Sequence, residues 1–199
     1  MKVNAMDLKT SMNRVGASLL LATLLMLAGC GGPGGASAPA RTFDLGMAAP
    51  PERLASVRVG LVRGSEPFDN LDMHYRLAYR DGGELASYTQ SRWAAPPATL
   101  LRTALVRATD AGPSVRCALD LDILEFTQVF DAKEASTAVL EVRATLADGQ
   151  VRVAERTLRV SEPHAGNGAP TGAAAMSRAA ARLVGEVSRW AGQQAACRS

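Results

Sequence analysis

An uncharged, apolar run extends over residues 15–29 and stops at one cysteine, Cys30. This run is too short to cross a bilayer as a helix, which takes about 20 residues. Arg14 precedes the run, and small residues end it. A basic residue, a short apolar segment and small residues before a cut are typical of a secretory signal peptide. We therefore predict that residues 1–29 are removed on export and that the folded part of the chain lies after them.

The four residues at the predicted cut, Leu27-Ala28-Gly29-Cys30, resemble the acylation motif of bacterial lipoproteins. This resemblance implies that Cys30 becomes the first residue and carries covalent lipid, palmitate included, with no other cofactor. Two or three acyl chains hold a protein firmly to a membrane. Gly31 follows where an aspartate would favour the inner membrane, so the periplasmic face of the outer membrane is expected. A plain cleaved signal and a short membrane anchor are the alternatives.

The composition of the remaining chain indicates one anchored domain. Residues 30–41 are rich in Gly, Pro, Ala and Ser, which predicts a lipidated N-terminus followed by a flexible spacer. Residues 42–199 are long enough for a single periplasmic domain with its own core. Of 22 Lys and Arg and 19 Asp and Glu residues, residues 1–29 hold three basic and one acidic, which leaves a net charge of +1. No basic run with interleaved aromatic residues is present, so a nucleic-acid partner is not expected.

Apolar residues with a period of two predict strands on both sides of a helix. The clearest alternations cover residues 115–123 and 138–146, and Asp148-Gly149 predicts a two-residue turn into a further strand with a bulge near Ala154–Arg156. Shorter patterns lie at 41–45, 57–62 and 73–79, and in the second of these Val57, Val59 and Leu61 are predicted to share the buried face. Helical spacing covers 97–109 and 172–192. The residues before the second helix, 161–172, are predicted to form a loop that contains His164. The order βββ-α-βββ-α predicts an α+β, two-layer domain, with a mixed or antiparallel sheet of about six strands covered by two helices.

Two cysteines other than Cys30 are present, Cys117 and Cys197. In an oxidising periplasm they could form a disulfide that joins the C-terminus to the sheet. Alternatively, Cys117 is a small buried apolar residue and Cys197 lies in a frayed tail. The sequence leaves both interpretations open.

Residues with catalytic or metal-binding potential are sparse. His74 and His164 are ninety positions apart and belong to no metal-ligand spacing. Asp120 and Asp122 share one face of a predicted strand, which suits either a carboxylate pair or an ordinary half-exposed strand. No serine lies in a Gly-x-Ser-x-Gly motif. We therefore predict a protein that is not an enzyme and binds no metal.

Residues 75–108 carry the most distinctive pattern, "YRLAYRDGGELASYTQSRWAAPPATLLRTALVRA". An aromatic-rich hairpin is followed by the pair Arg92-Trp93, by a helix that starts with proline and by a long strand. Together with the acylation motif, this order resembles the PqiC-like, ABC-type transport auxiliary lipoprotein family, over about residues 42–190.

The resemblance implies a non-catalytic outer-membrane component of an envelope lipid transport system that supports membrane integrity. The implied partner is a periplasmic protein with MCE domains, joined to an inner-membrane ABC transporter, and a homo-oligomer is compatible with this role. We interpret Arg92 and Trp93 as partner-contacting residues, because Arg and Trp are enriched at interface hot spots. Alternatively, Trp93 caps the core. The alternative functions are a carrier of lipid or another hydrophobic ligand and, less favoured, an envelope hydrolase.

Overall fold

The computed structural model describes residues 39–46, 52–110, 112 and 115–197. The predicted signal peptide, residues 1–29, and Cys30 lie outside these residues. The α+β class and the order strands, helix, strands, helix are confirmed, and the described residues form a sheet of seven strands where about six were predicted. The elements are β1 (Arg41–Phe43), β2 (Arg58–Gly64), β3 (Asp72–Leu77), β4 (Asp81–Trp93), α1 (Pro97–Ala108), β5 (Cys117–Ala132), β6 (Ala135–Asp148), β7 (Val151–Ala165) and α2 (Ala169–Gly192).

The long strand β5 organises the sheet. Its first half pairs in parallel with β2, its second half pairs in parallel with β3, and its other edge pairs along its length with antiparallel β6. The remaining strands extend the sheet in the order β1-β4-β3-β5-β6-β7. A strand of 16 residues has room for two partners end to end, and therefore the sheet is mixed.

Both helices cover one face of this sheet. Helix α2 packs on β6 and β7, and α1 packs against β2. Their apolar stripes, with Leu101, Leu105, Leu183 and Val187 all fully buried, meet the inward-facing residues of β5 and β6. Pro97 begins α1, since a proline at the first position sacrifices no helical hydrogen bond. None of the helices in the described residues is both long and apolar enough to cross a bilayer.

The strand patterns misplaced three local features. A register shift lies between Val59 and Val62, so Leu61, which the alternation placed on the buried face, is 60% exposed. Strand β7 continues to Ala165, although the sequence predicted a loop from Ser161 onward. The bulge in β7 falls at Val153, just before the predicted segment.

Candidate functional surfaces and a buried polar cluster

The chain that follows the predicted spacer is fixed to the domain over residues 41–46. Strand β1 lies at the sheet edge beside β4, and Leu45 is buried in the core. The Ser177 hydroxyl donates to the carbonyl of Leu45, and Arg107 Nη1 donates to the carbonyl of Gly46 at 3.1 Å. Gly46 has φ 68°, a left-handed conformation that glycine adopts without strain. These contacts give any N-terminal anchor a defined attachment point.

Cys117 and Cys197 are joined in a disulfide, with their Cα atoms 5.3 Å apart. Both residues are buried, at 0% and 2% exposure. The bond connects the first residue of β5 to the 3-10 turn after α2, Ala195–Cys197. It therefore ties the segment that follows α2 to the start of the central strand β5.

Arg92 and Trp93, the two residues interpreted as a partner interface, point to opposite faces of the sheet. Trp93 is only 3% exposed and packs edge-on against Phe126, with ring centroids 5.3 Å apart. The structure therefore corrects the interpretation of Trp93 as a contact residue, because alternation along β4 turns its ring into the core. Arg92 points the other way and is exposed.

An open groove of about 460 Å³ lies beside β1. One of its lining residues, Ala94, is two positions from Arg92 in the sequence. Its walls combine small or apolar residues of the first turns of α2 with residues of the N-terminal segment: Thr42, Phe43, Asp44, Gly46, Ala94, Pro170, Ala173, Ala174 and Ser177. Small side chains on a helix allow another chain to approach its backbone closely. Arg92 does not line the groove, so the groove and Arg92 are two separate candidate partner-binding sites.

A chain of polar side chains crosses the core beneath the start of α2. The Tyr88 hydroxyl donates to Gln128 Oε1 at 2.9 Å, and Gln128 Nε2 donates to Ser136 Oγ at 2.8 Å. Ser136 Oγ shares a further hydrogen bond of 2.8 Å with His164 Nε2. Burial and the neighbouring Tyr75 raise the pKa of Tyr88 from 10.0 to about 12. These four residues are called the polar cluster below.

The Ser136–His164 pair resembles a nucleophile and its base only in distance. A serine nucleophile also needs a base oriented by a third group and access for a substrate. Ser136 is 3% exposed, and the other ring nitrogen of His164 lies 3.1 Å from the carbonyl of its neighbour Ala165 rather than near a carboxylate. Satisfied buried polar groups of this kind specify how a core packs.

Sequence reasoning missed Gln128 and Ser136 and treated His164 as a loop residue. A signal was present in the spacing. Gln128 is two positions from both Phe126 and Phe130, and Ser136 is two positions from Ala138, so each polar residue shares the buried face of its strand. A polar residue at a buried position of a strand requires a partner. Two such residues in neighbouring strands indicate a shared hydrogen-bond network.

The two aspartates considered as a carboxylate pair hold β2 to β5. Asp120 Oδ1 accepts a hydrogen bond from the backbone of Leu61 at 2.7 Å, and Asp122 Oδ1 pairs with Arg63 Nε at 2.7 Å. A Cβ at Gly60 would lie 2.2 Å from Asp120 Oδ1, so glycine permits this contact. In the described residues, no three His, Cys, Asp or Glu side chains are grouped to hold a metal ion.

An ion-pair cluster joins the edge strand β7 to α2. Glu162 accepts hydrogen bonds from Arg178 at 2.9 Å and from Arg182 at 3.0 Å. These bonds hold the pKa of Glu162 below its ordinary value of 4.5, and the bond from Arg178 has the larger effect. Arg182 also donates to the carbonyl of Ser161 at 3.1 Å. The helix thus covers part of the otherwise open strand edge.

Comparison with known proteins assigns the chain to a class. Residues 46–188 match the profile of the ABC-type transport auxiliary lipoprotein component. The chain belongs to this family, and its recognition from the hairpin, the Arg-Trp pair and the proline-started helix is confirmed. The family describes an accessory component of an ABC transport system. No curated protein matches the sequence.

Solved structures share the fold. A Xanthomonas campestris protein of family DUF330 superposes with a TM-score of 0.66 at 22% identity, covering 80% of this chain and all (100%) of that one. An uncharacterized protein superposes with a TM-score of 0.61 at 13% identity, covering 76% of this chain and 98% of that one. At these identities the likeness establishes the architecture alone.

Proposed function

We propose that the protein is a non-catalytic lipoprotein on the periplasmic face of the outer membrane, which docks a periplasmic MCE-domain partner of an inner-membrane ABC transporter that moves envelope lipid. The observation that carries this proposal is the family match over residues 46–188, preceded by a signal-like segment and an acylation motif ending at Cys30. The domain thus starts only a short stretch of chain after the proposed lipid.

An anchor of this kind increases binding without adding contacts. Tethering confines the domain near any partner that reaches the same membrane and raises their effective concentration. A modest contact surface is then sufficient for capture. The exposed Arg92 offers a charged group for such a contact, and the groove beside β1 offers a separate concave wall of small residues.

The interior favours docking over the alternative function of a hydrophobic-ligand carrier. In the described part of the chain, two partly enclosed cavities near α2 measure about 30 and about 10 Å³, which is room for only one or two water molecules each. A carrier would need an enclosed apolar space of several hundred Å³. The groove beside β1 has sufficient volume but is open to solvent along its length.

The anchor and the docking surface can be tested separately. The wild-type chain should incorporate radiolabelled palmitate, and Cys30→Ala should abolish incorporation.

Arg92→Ala should reduce co-purification of the MCE partner by about tenfold, equivalent to about 1.4 kcal/mol, with an unchanged melting temperature. Arg102→Ala is the matched control, because Arg102 is also exposed but lies on α1 rather than on β4. Undiminished capture by Arg92→Ala would contradict the contact assigned to Arg92, and failure of wild type to capture the partner would contradict docking.

Native mass spectrometry separates docking from carriage. A docking module whose anchor has been removed should contain no lipid in stoichiometric amount. Retention of one lipid per domain through purification would instead support the carrier function.

A further inference from the structure

The connections of the sheet gather three turns at one end of the domain. Because β3 runs parallel to β5, the turns that follow both strands lie together, and the backbone N–H of Tyr79 donates to the carbonyl of Phe130 at 3.2 Å. The turn after β7 joins them, with Gly166 N–H donating to the carbonyl of Glu134 at 2.9 Å. We call this the hairpin end, comprising residues 78–84, 131–134 and 165–168. The opposite end, the disulfide end, holds Cys117 and the turn at 148–151.

The N-terminal segment enters the domain from the direction of the hairpin end. Strand β4 starts at the hairpin end, and β1 runs parallel to it, with Arg41 beside Ser91 and Phe43 beside Trp93. The chain before Arg41 therefore comes from the side of the hairpin end. Its distance from that end follows from β3, where Asp72 lies opposite Arg92 and Leu77 opposite Asp81. Five residues of strand correspond to about 16 Å.

The disulfide end is farther from Arg41 than the hairpin end is, and the chain does not approach Arg41 from that side. The register of β3 with β5 places Asp72 about level with Glu125. From Glu125 to Cys117 the strand covers eight residues, about 26 Å. A chain that anchored the disulfide end to a membrane would have to reverse before Arg41 and then span that distance.

The length of chain between Cys30 and the domain matches the distance from β1 to the hairpin end. Cys30 precedes Arg41 by eleven residues, rich in Gly, Pro, Ala and Ser. A chain of this length and composition has a root-mean-square span of about 18 Å. This span is close to the distance from β1 to the hairpin end and below the distance to the disulfide end.

We infer that the hairpin end rests against the phospholipid headgroups of the anchoring membrane and that the disulfide end points away from it. The inference depends on the lipid at Cys30 in the proposed function and adds the orientation of the domain. It leaves the disulfide end, where Val151 is 68% exposed, open to the periplasm.

The side chains at the hairpin end fit zwitterionic headgroups. Tyr79 is 42% exposed, and tyrosine is favoured at membrane–water interfaces. Exposed cations that suit lipid phosphate are Arg80 and Lys133, and exposed carboxylates that suit an ammonium group are Asp81, Glu84, Asp131 and Glu134. The excess of carboxylates disfavours a strongly anionic surface.

The orientation can be measured on the lipidated protein in vesicles. A single fluorophore is attached under non-reducing conditions at Gly82→Cys, where an added Cβ has open space, or at Val151→Cys, the matched control at the other end. Only protein that floats with the vesicles is measured, so failure of the anchor registers as loss of flotation. Nitroxide on zwitterionic headgroups should quench the label at position 82 several-fold more than that at 151. Equal quenching, or stronger quenching at 151, would overturn the orientation.

Headgroup chemistry is tested by replacing zwitterionic with anionic lipid at the same nitroxide content. Quenching at position 82 should fall, because four carboxylates face the surface. Unchanged or increased quenching would overturn the assignment of zwitterionic headgroups.

Discussion

Gly172 lies directly against the amide of Gln128, where a Cβ on the helix would come within 2.1 Å of Gln128 Oε1 and 2.6 Å of its Cδ. Gln128 is 4% exposed and is held by hydrogen bonds from Tyr88 and to Ser136. The amide therefore cannot move aside without breaking the polar cluster. Helix α2 approaches the sheet this closely because the contact position is glycine.

Gly172→Ala should lower the free energy of unfolding by about 1–3 kcal/mol, since overpacking a fixed neighbour forces a shift. Gly192→Ala is the matched control, as the same change in the same helix meets nothing within 4 Å. It should be neutral or stabilise by up to about 1 kcal/mol, because alanine favours helix. Urea denaturation of both variants checks this, and equal effects would contradict it. Combining Gly172→Ala with Gln128→Ala should cost less than the two changes added together.

Ser136→Ala should destabilise the domain by about 1–3 kcal/mol, because Gln128 and His164 lose a buried partner. Ser87→Ala, at an exposed position of β4, should have little effect. A fluorophosphonate probe should leave Ser136 unlabelled in the folded protein, since its hydroxyl is buried. Stoichiometric labelling of Ser136 would instead indicate a hydrolase.

The Glu162 cluster should make stability depend on acid pH. The pKa of Glu162 is lowered in the folded state, so its contribution is present above the ordinary value of 4.5 and is lost as pH falls through the folded value. Because both arginines are about half exposed, at 49% and 53%, the effect should be about 1 kcal/mol. Glu162→Gln should lose this at neutral pH and flatten the acid dependence of the melting temperature. Glu186→Gln on α2 serves as the control, and identical acid profiles for wild type and Glu162→Gln would refute the assignment.

Removing the Cys117–Cys197 bond should lower stability by about 2–4 kcal/mol, because the bond closes a loop across a separation of 80 residues. The double change to alanine avoids a free thiol, and thermal melting of the oxidised and reduced wild type gives an independent measurement. Thiol titration under denaturing conditions should find no free thiol among these two cysteines. Two free thiols in the oxidised protein would exclude the bond.

Patterns that depend on near neighbours in the chain were sufficient for the element order. The alternation over 115–123 and 138–146 predicted strands within β5 and β6, because one face of each is buried over most of these residues. Proline spacing and apolar periodicity likewise placed α1 and α2 close to their actual bounds. The family could be recognised for the same reason, since its pattern lies within one continuous segment, 75–108.

Features that depend on contacts between distant segments were decided by the tertiary structure. The exposure of Leu61 follows from how β2 meets Asp120, and the burial of Trp93 follows from its contact with Phe126. Both residues are apolar and lie in strands, so the sequence alone cannot say which of them faces water.

The sequence by itself determined the elements, the family and the segment that leads to Cys30, because each is encoded in adjacent residues. Only the tertiary structure decided that Gln128, Ser136 and His164 meet, that Cys117 reaches Cys197, and that β1 enters beside β4 from the hairpin end. The physical reason is that these relationships arise from packing and register between segments far apart in the chain, which local propensity and periodicity do not specify.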